Sequence, residues 1–194
     1  MAPHDPSRRR AILDAATASF SRYGFRKTTM DQVAHDAGVA KPTLYAWFEN
    51  KDALFYAVCD ALMTKILNDA ELARAIADPL ARIRGILEAK FTTVFELVAS
   101  SPHAQELLTT RNEALTARLD AADRDFRAVL VQALTDAERD DALDLRHLGG
   151  PVAAAKVLML AGHGAGYAAA SRADHTANVA ALTIALLGPA RPTR

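Results

Sequence analysis

The chain has 194 residues, 51% of them hydrophobic, enough for a substantial core and for one large domain or a small one beside a larger one. Its 23 Lys and Arg balance 23 Asp and Glu, so overall charge gives no argument for a polyanionic partner. Its single cysteine excludes an intrachain disulfide framework and points to a reducing compartment. The charge is unevenly distributed. Residues 1–51 carry eight basic residues (Arg8, Arg9, Arg10, Arg22, Arg26, Lys27, Lys41, Lys51) against five acidic ones, a net +3 that leaves −3 for the remainder. No uninterrupted apolar run follows the N-terminal arginines, so no signal peptide is expected. The longest apolar stretch, 152–170, is broken by Lys156 and His163 and makes a poor membrane span. A cytoplasmic protein without membrane association is expected.

In chain order, residues 1–6 read as an irregular arm. Ser7 is a candidate cap for a first helix that carries Ile12, Leu13, Ala16, Phe20 and Tyr23 on one stripe and stops at Gly24. Arg8, Arg9 and Arg10 open that helix although cations there oppose its dipole, a cost that a nearby phosphate would offset; a solvated terminus with three charges is the competing reading. Thr28 or Thr29 can cap a second helix, with Val33, Ala34 and Ala37 on one face, and Gly38 supplies the left-handed residue that ends it. Lys41, Pro42 and Thr43 start a third helix, with Pro42 where its missing N–H costs little, and Leu44, Trp47 and Phe48 give it an inner face. Two short helices joined by a tight glycine turn form a helix-turn-helix pattern, whose second helix usually enters the DNA major groove.

A fourth helix is expected from about Lys51 to about Ala77, with Leu54, Phe55, Val58, Leu62 and Ile66 inward and Cys59 beside that stripe as a small core residue. Asp78 and Pro79 open a fifth helix with Ile83, Ile86, Leu87, Phe91, Val94, Phe95 and Val98 inward and Lys90 at the stripe's edge. A short sixth is expected over 103–109, and a seventh from about Asn112 through Ala133. Residues 136–150 read as a charged connection ending in a Gly pair. The last two helices span 151–171 and 174–187; the former is apolar almost all round, so it is buried on more than one side. Every element is helical, about nine in all. The fold class is all-α, with a helix-turn-helix domain over 1–51 and a larger helical domain over 52–194.

Four pieces of sequence resemble the TetR family of bacterial transcriptional regulators. They are Tyr23-Gly24-Phe25 closing the first helix, Thr28-Thr29 before the second, Pro42-Thr43-Leu44-Tyr45 in the third, and Phe48-Glu49-Asn50-Lys51-Asp52 opening the fourth. Their order and spacing agree with the family over roughly the first third of the chain. The resemblance implies a ligand-responsive regulator, usually a repressor, that binds a palindromic double-stranded DNA operator as a homodimer. In the family, helices four to seven enclose a small-molecule effector whose binding moves helix four and separates the two reading heads.

On this reading Tyr45, Lys51 and Thr29 are expected at phosphates, and Lys41 and Thr43 at base edges beside Pro42. Trp47 has two readings, an indole N–H on the DNA backbone or a buried ring. Met63, Phe91, Phe95 and Phe126 are candidate lining residues of an apolar effector pocket, with Lys90 or His103 as polar contacts; simple core packing is the competing reading for each. Gly162, Gly166 and Ala170 form a four-residue ridge of small side chains. With Met159, Val179 and Leu182 they are the candidate dimer interface, a four-helix contact between subunits. The effector's identity is unknown.

Enzyme chemistry finds little support. The run from Gly162 to Gly166 follows no strand and fits neither nucleotide-binding spacing. His147, His163 and His175 are too scattered for a metal motif, Cys59 has no neighbouring histidine, and no cofactor is expected. The competing reading from another class is a helical small-molecule carrier or enzyme that retains a helix-turn-helix head.

Overall fold

A computed structural model describes residues 5–99, 113–167 and 169–188. Among these residues it contains eight α-helices: α1 (Pro6–Lys27), α2 (Met30–Asp36), α3 (Lys41–Trp47), α4 (Lys51–Ala73), α5 (Pro79–Ala99), α6 (Glu113–Arg139), α7 (Pro151–Tyr167) and α8 (Arg172–Leu187). A 3₁₀ turn, Arg146–Leu148, precedes α7, and no strand occurs among the described residues. The all-helical class agrees with the sequence reading; the expected sixth helix, over 103–109, lies outside the described residues.

Helix boundaries follow their caps. Asp5, rather than Ser7, caps α1: its carboxylate accepts from the Ser7 N–H at 2.9 Å and the Ser7 hydroxyl at 2.8 Å, and Pro6 takes the first helical position. The Ser7 N–H, ahead of the hydroxyl, lowers the Asp5 pKa. Helix α4 ends at Ala73, before Ala77, where the backbone tightens: the N–H groups of Arg74, Ala75 and Ile76 donate to carbonyls three residues back at 3.1, 3.2 and 3.1 Å, and Asp78 then caps α5 through the Ala81 N–H at 2.8 Å. Helix α6 continues to Arg139, into the stretch expected to be a connection. The segment after it is anchored by the buried Leu143 and Leu145 and turns through Gly149 and Gly150 at φ 85° and 89°. Helix α7 stops at Tyr167, and Ser171 caps α8 by accepting from the Asp174 N–H at 3.1 Å.

The chain divides into two compact units, one formed by Met1–Thr64 with Leu97–Leu119 and the other by Lys65–Glu96 with Asp120–Arg194. Helices α4, α5 and α6 each contribute to both. The core of the first unit joins Ile12, Ala16 and Phe20 of α1, Val33 of α2, Leu44 of α3 and Leu54 of α4, all fully buried. Leu115, at the start of α6, is buried in the same cluster. Phe20 meets Phe55 edge-on at 5.4 Å between ring centroids, and Phe25 lies 5.0 Å from Phe55. In the second unit, Ile83, Ile86 and Leu87 of α5, Leu130 and Leu134 of α6, and Leu158 of α7 are buried, and α7 packs on α8. Among the described residues no helix is long and apolar enough to cross a membrane.

Candidate nucleic-acid interface

The corner between α2 and α3 is built by hydrogen bonds that require its sequence. Thr29 caps α2, accepting from the Gln32 N–H at 3.2 Å, while Thr28 is buried and its hydroxyl faces the Ser19 and Gly24 carbonyls at 3.1 and 2.8 Å. At the other end Gly38 adopts φ 64°, open to solvent on the side a Cβ would occupy. Its N–H donates to the His35 carbonyl and that of Val39 to the Ala34 carbonyl, both at 3.0 Å, the paired bonds that close a helix through a left-handed residue. Ala34 is buried where α2 meets α3. Asp36 accepts from Ser19, Gln32 and His35, which joins α2 to α1 and lowers the Asp36 pKa, with His35 and then Gln32 the largest contributors.

Helix α3 hangs on that corner by Leu44, fully buried, and by Phe48 just beyond its end. The remaining positions point away from the core: Lys41, Pro42 and Tyr45 are exposed and Thr43 is half-buried. Tyr45 is 49% exposed, which leaves its hydroxyl accessible to a phosphate. Trp47 is half-buried and packs against the head's core. Beside α3, a surface groove of about 370 Å³ is lined by Ser7, Arg8 and Ala11 of α1, by residues 37–40 of the turn, and by Thr43. Arg9 lies over the Phe48 ring at 5.8 Å, so the arginine-rich start of α1 borders the turn and α3.

Two of the expected DNA contacts are already engaged within the chain. Lys41 forms an ion pair with Asp31 of α2, Nζ to Oδ2 2.5 Å, both side chains being mostly exposed. Lys51 requires a larger correction. Its ammonium donates to the carbonyls of Phe25, Thr28 and Arg26 at 2.8, 3.1 and 3.3 Å and lies 4.6 Å from the centre of the Phe25 ring. All three ammonium protons therefore have backbone acceptors in the short segment after Gly24, whose φ of 80° breaks the helical path of α1. Lys51 ties α1 to α4; its side chain is not disposed toward a phosphate.

The residues expected at an effector are dispersed. Met63 is half-buried in the first unit and His103 lies outside the described residues. In the second unit Lys90 is buried in an ion pair with Asp123 and sits 5.0 Å from the centre of the Phe126 ring, so its charge is balanced internally; Phe126 is itself fully buried. Phe91 meets His163 edge-on at 5.1 Å, and Phe95 stacks on the buried His175 at 4.7 Å. His175 also lies 3.5 Å from the Thr92 hydroxyl, and burial lowers its pKa against the opposing influence of Glu96. Near the first unit's core, half-buried Cys59 has its thiol pKa pushed up to about 11, chiefly by burial, which leaves little nucleophilic thiolate.

Most of the residues expected at a dimer interface turn inward. Met159 and Val179 are buried, and a Cβ on Gly162 would lie well under 3.0 Å from three atoms of the Phe91 ring. Gly162 thus serves packing within the subunit. Gly166 backs onto Phe95 and His175, Leu182 is half-buried, and Ala170 is exposed between the two helices. The outward stripe of α7 is instead Val152, Lys156, Leu160 and Gly164, and that of α8 includes Ala177, Ala181 and Ile184. Four-residue spacing is the signal for both stripes, and it does not say which one faces out.

The profile of bacterial regulatory proteins of the tetR family matches residues 12–58, which contain the helix-turn-helix and its buried anchors. Among curated relatives, the chain is 42% identical over 66 residues to YhgD of Bacillus subtilis strain 168, an uncharacterized HTH-type transcriptional regulator, covering 34% of this chain and 35% of that one. It is 31% identical over 120 residues to the HTH-type transcriptional regulator RutR of Escherichia coli K12, covering 56% and 57%. The chain thus spans between about a third and somewhat over half of these relatives, which are named as regulators and not as enzymes. Its fold is similar to that of SmeT in complex with triclosan, at a TM-score of 0.70 and 21% identity over 93% of this chain and 91% of that one. SmeT is the repressor of the Stenotrophomonas maltophilia multidrug efflux pump SmeDEF. The helix-turn-helix head, over residues 12–58, is thus that of bacterial regulatory proteins of the tetR family, and the chain as a whole shares the fold of SmeT.

Proposed function

We propose that this protein is a cytoplasmic, ligand-responsive transcriptional repressor that binds a palindromic operator as a homodimer and is released by a small molecule. DNA reading is assigned to residues 1–51, effector binding and dimerisation to residues 52–194. The observation that carries the reading is the outer surface of α3: Lys41, Pro42, Thr43 and Tyr45 project from a helix whose Leu44 is fully buried in the head's core. A rigidly anchored short helix with cationic and hydroxyl groups outward has the properties needed in a major groove. Lys41 and Thr43 are assigned to base edges, and Tyr45, Thr29 and Arg8 to phosphates on either side.

The dimer face is assigned to the exposed apolar positions of α7 and α8, Val152, Leu160 and Ile184. The effector region is assigned to the aromatic and polar side chains around Phe91, Phe95 and His163. Helices α4, α5 and α6 run through both compact units, so a change in the second has a covalent route to the first. An effector must bind the non-DNA conformation better than the DNA-bound one, or it shifts nothing.

The test is a fluorescence-anisotropy titration against DNA flanking the protein's own gene, beside a scrambled duplex of equal length, at two salt concentrations. Tight binding to the native fragment with a large ratio over the scramble is expected. Equal binding to both that vanishes as salt rises would leave only phosphate attraction. The operator would then lie elsewhere, or a carrier or enzyme role would take the regulator's place.

A further inference from the structure

The charged groups on the reading face are not all available to DNA. Asp31 stands in the first turn of α2, where the helix dipole favours a carboxylate, and Lys41 opens α3 across the turn. The two are ten residues apart in sequence and 2.5 Å apart as an ion pair, and both side chains remain more than half exposed. We propose that Asp31 is a specificity-determining residue: it withholds the Lys41 ammonium from phosphates and yields it to a base edge. This rests on the assignment of α3 as the reading helix.

The effect of Asp31 is electrostatic. Sequence-independent binding comes from cations that neutralise phosphates and release counterions. A lysine already neutralised by a carboxylate adds no net charge to that process, and transfer of its ammonium to a phosphate leaves the Asp31 carboxylate facing a polyanion. In the major groove the two groups have complementary uses. Lysine donates to guanine O6 and N7, and aspartate accepts from the cytosine N4 amino group. A site that offers both replaces the ion pair with two contacts, whereas the DNA backbone offers only acceptors and can satisfy Lys41 alone. Asp31 therefore penalises non-cognate DNA more than cognate DNA, which is the repulsive half of specificity.

The experiment uses the full chain as wild type, D31N, K41Q and the D31N/K41Q double variant. Each is titrated against the duplex that wild type enriches from a randomised pool and against a scrambled duplex, over a salt series. D31N is expected to bind the scramble roughly 3-fold tighter or more and to steepen the log–log salt slope by about 0.9, the value of one added phosphate contact. The enriched duplex gains less, so the specificity ratio falls, and in the K41Q background D31N has a much smaller effect. If wild type enriches a sequence but D31N leaves scramble affinity and slope unchanged, or acts equally with and without Lys41, Asp31 has no such role. If wild type enriches no sequence, the reading-helix assignment fails and this inference fails with it.

Discussion

The ammonium of Lys51 rests against three carbonyl oxygens at the end of α1, and the energetic consequence differs from that of a phosphate ligand. Hydrogen bonds from a charged donor are worth about 1.5–3 kcal/mol when partly shielded, and removing the donor strands carbonyls that have no helical partner. Lys51→Ala is therefore expected to cost about 1–3 kcal/mol in urea-induced unfolding while leaving the salt slope of DNA binding at its wild-type value. Intact stability with a shallower slope would return the residue to the DNA backbone. His175 makes a different statement at the same scale. Burial holds its folded pKa below the ordinary 6.5, so between those two values the unfolded chain takes up a proton that the folded one does not. The stabilisation is complete above about pH 6.5 and declines as pH falls toward the folded pKa. Urea midpoints at about pH 7.5 and about pH 5.5 should separate more for wild type than for His175→Gln; equal separations would mean that the histidine is not buried in its neutral form.

At the scale of elements, α7 shows what a glycine in a helix can be for. Gly162 weakens the helix by about 1 kcal/mol relative to alanine, and the Phe91 ring occupies the space its side chain would need. Gly162→Ala should therefore destabilise by about 1–3 kcal/mol despite its better helix propensity, read as a lower thermal midpoint, and Phe91→Leu in the same chain should recover part of the loss. An unchanged or raised midpoint for the single variant would remove that packing. Helix α7 also marks the limit of what sequence reveals. The head was legible because each of its helices has one apolar face: Gly38 demands a turn, and Leu44 with Phe48 can only face inward. In α7, apolar residues surround the helix, and Gly162–Gly166 and Leu160–Gly164 have the same four-residue period, so periodicity does not select the outer stripe. Nor does local spacing disclose ion pairs across helices. Asp123, 33 residues after Lys90, takes up the charge that sequence reading offered to an effector, and Asp31 does the same for Lys41.

At the scale of the whole molecule, reading a palindrome requires two heads held at a fixed spacing, so the function proposed for α3 depends on a surface far from it in sequence. Val152 and Leu160 are 68% and 67% exposed on one stripe of α7, and Ile184 is 56% exposed on α8. Large apolar side chains at such exposure lose little by substitution within the subunit, but in a two-fold interface each would be buried against its counterpart. Leu160→Glu would then place two carboxylates in an apolar contact, where neither has a partner and each repels the other. Light scattering should report a mass near 20.8 kDa for the variant and about twice that for wild type at the same concentration. Unfolding midpoints measured on the monomer fraction distinguish loss of assembly from loss of fold, because Leu160 contributes little to the subunit's own core. The variant's DNA binding reports on the same face. If the heads cooperate only through this face, binding to a palindrome should fall toward that to a half-site, while the salt slope per bound head stays the same. A Leu160→Glu protein that remains at twice the chain mass and retains its palindrome preference would move the interface to another surface of the molecule.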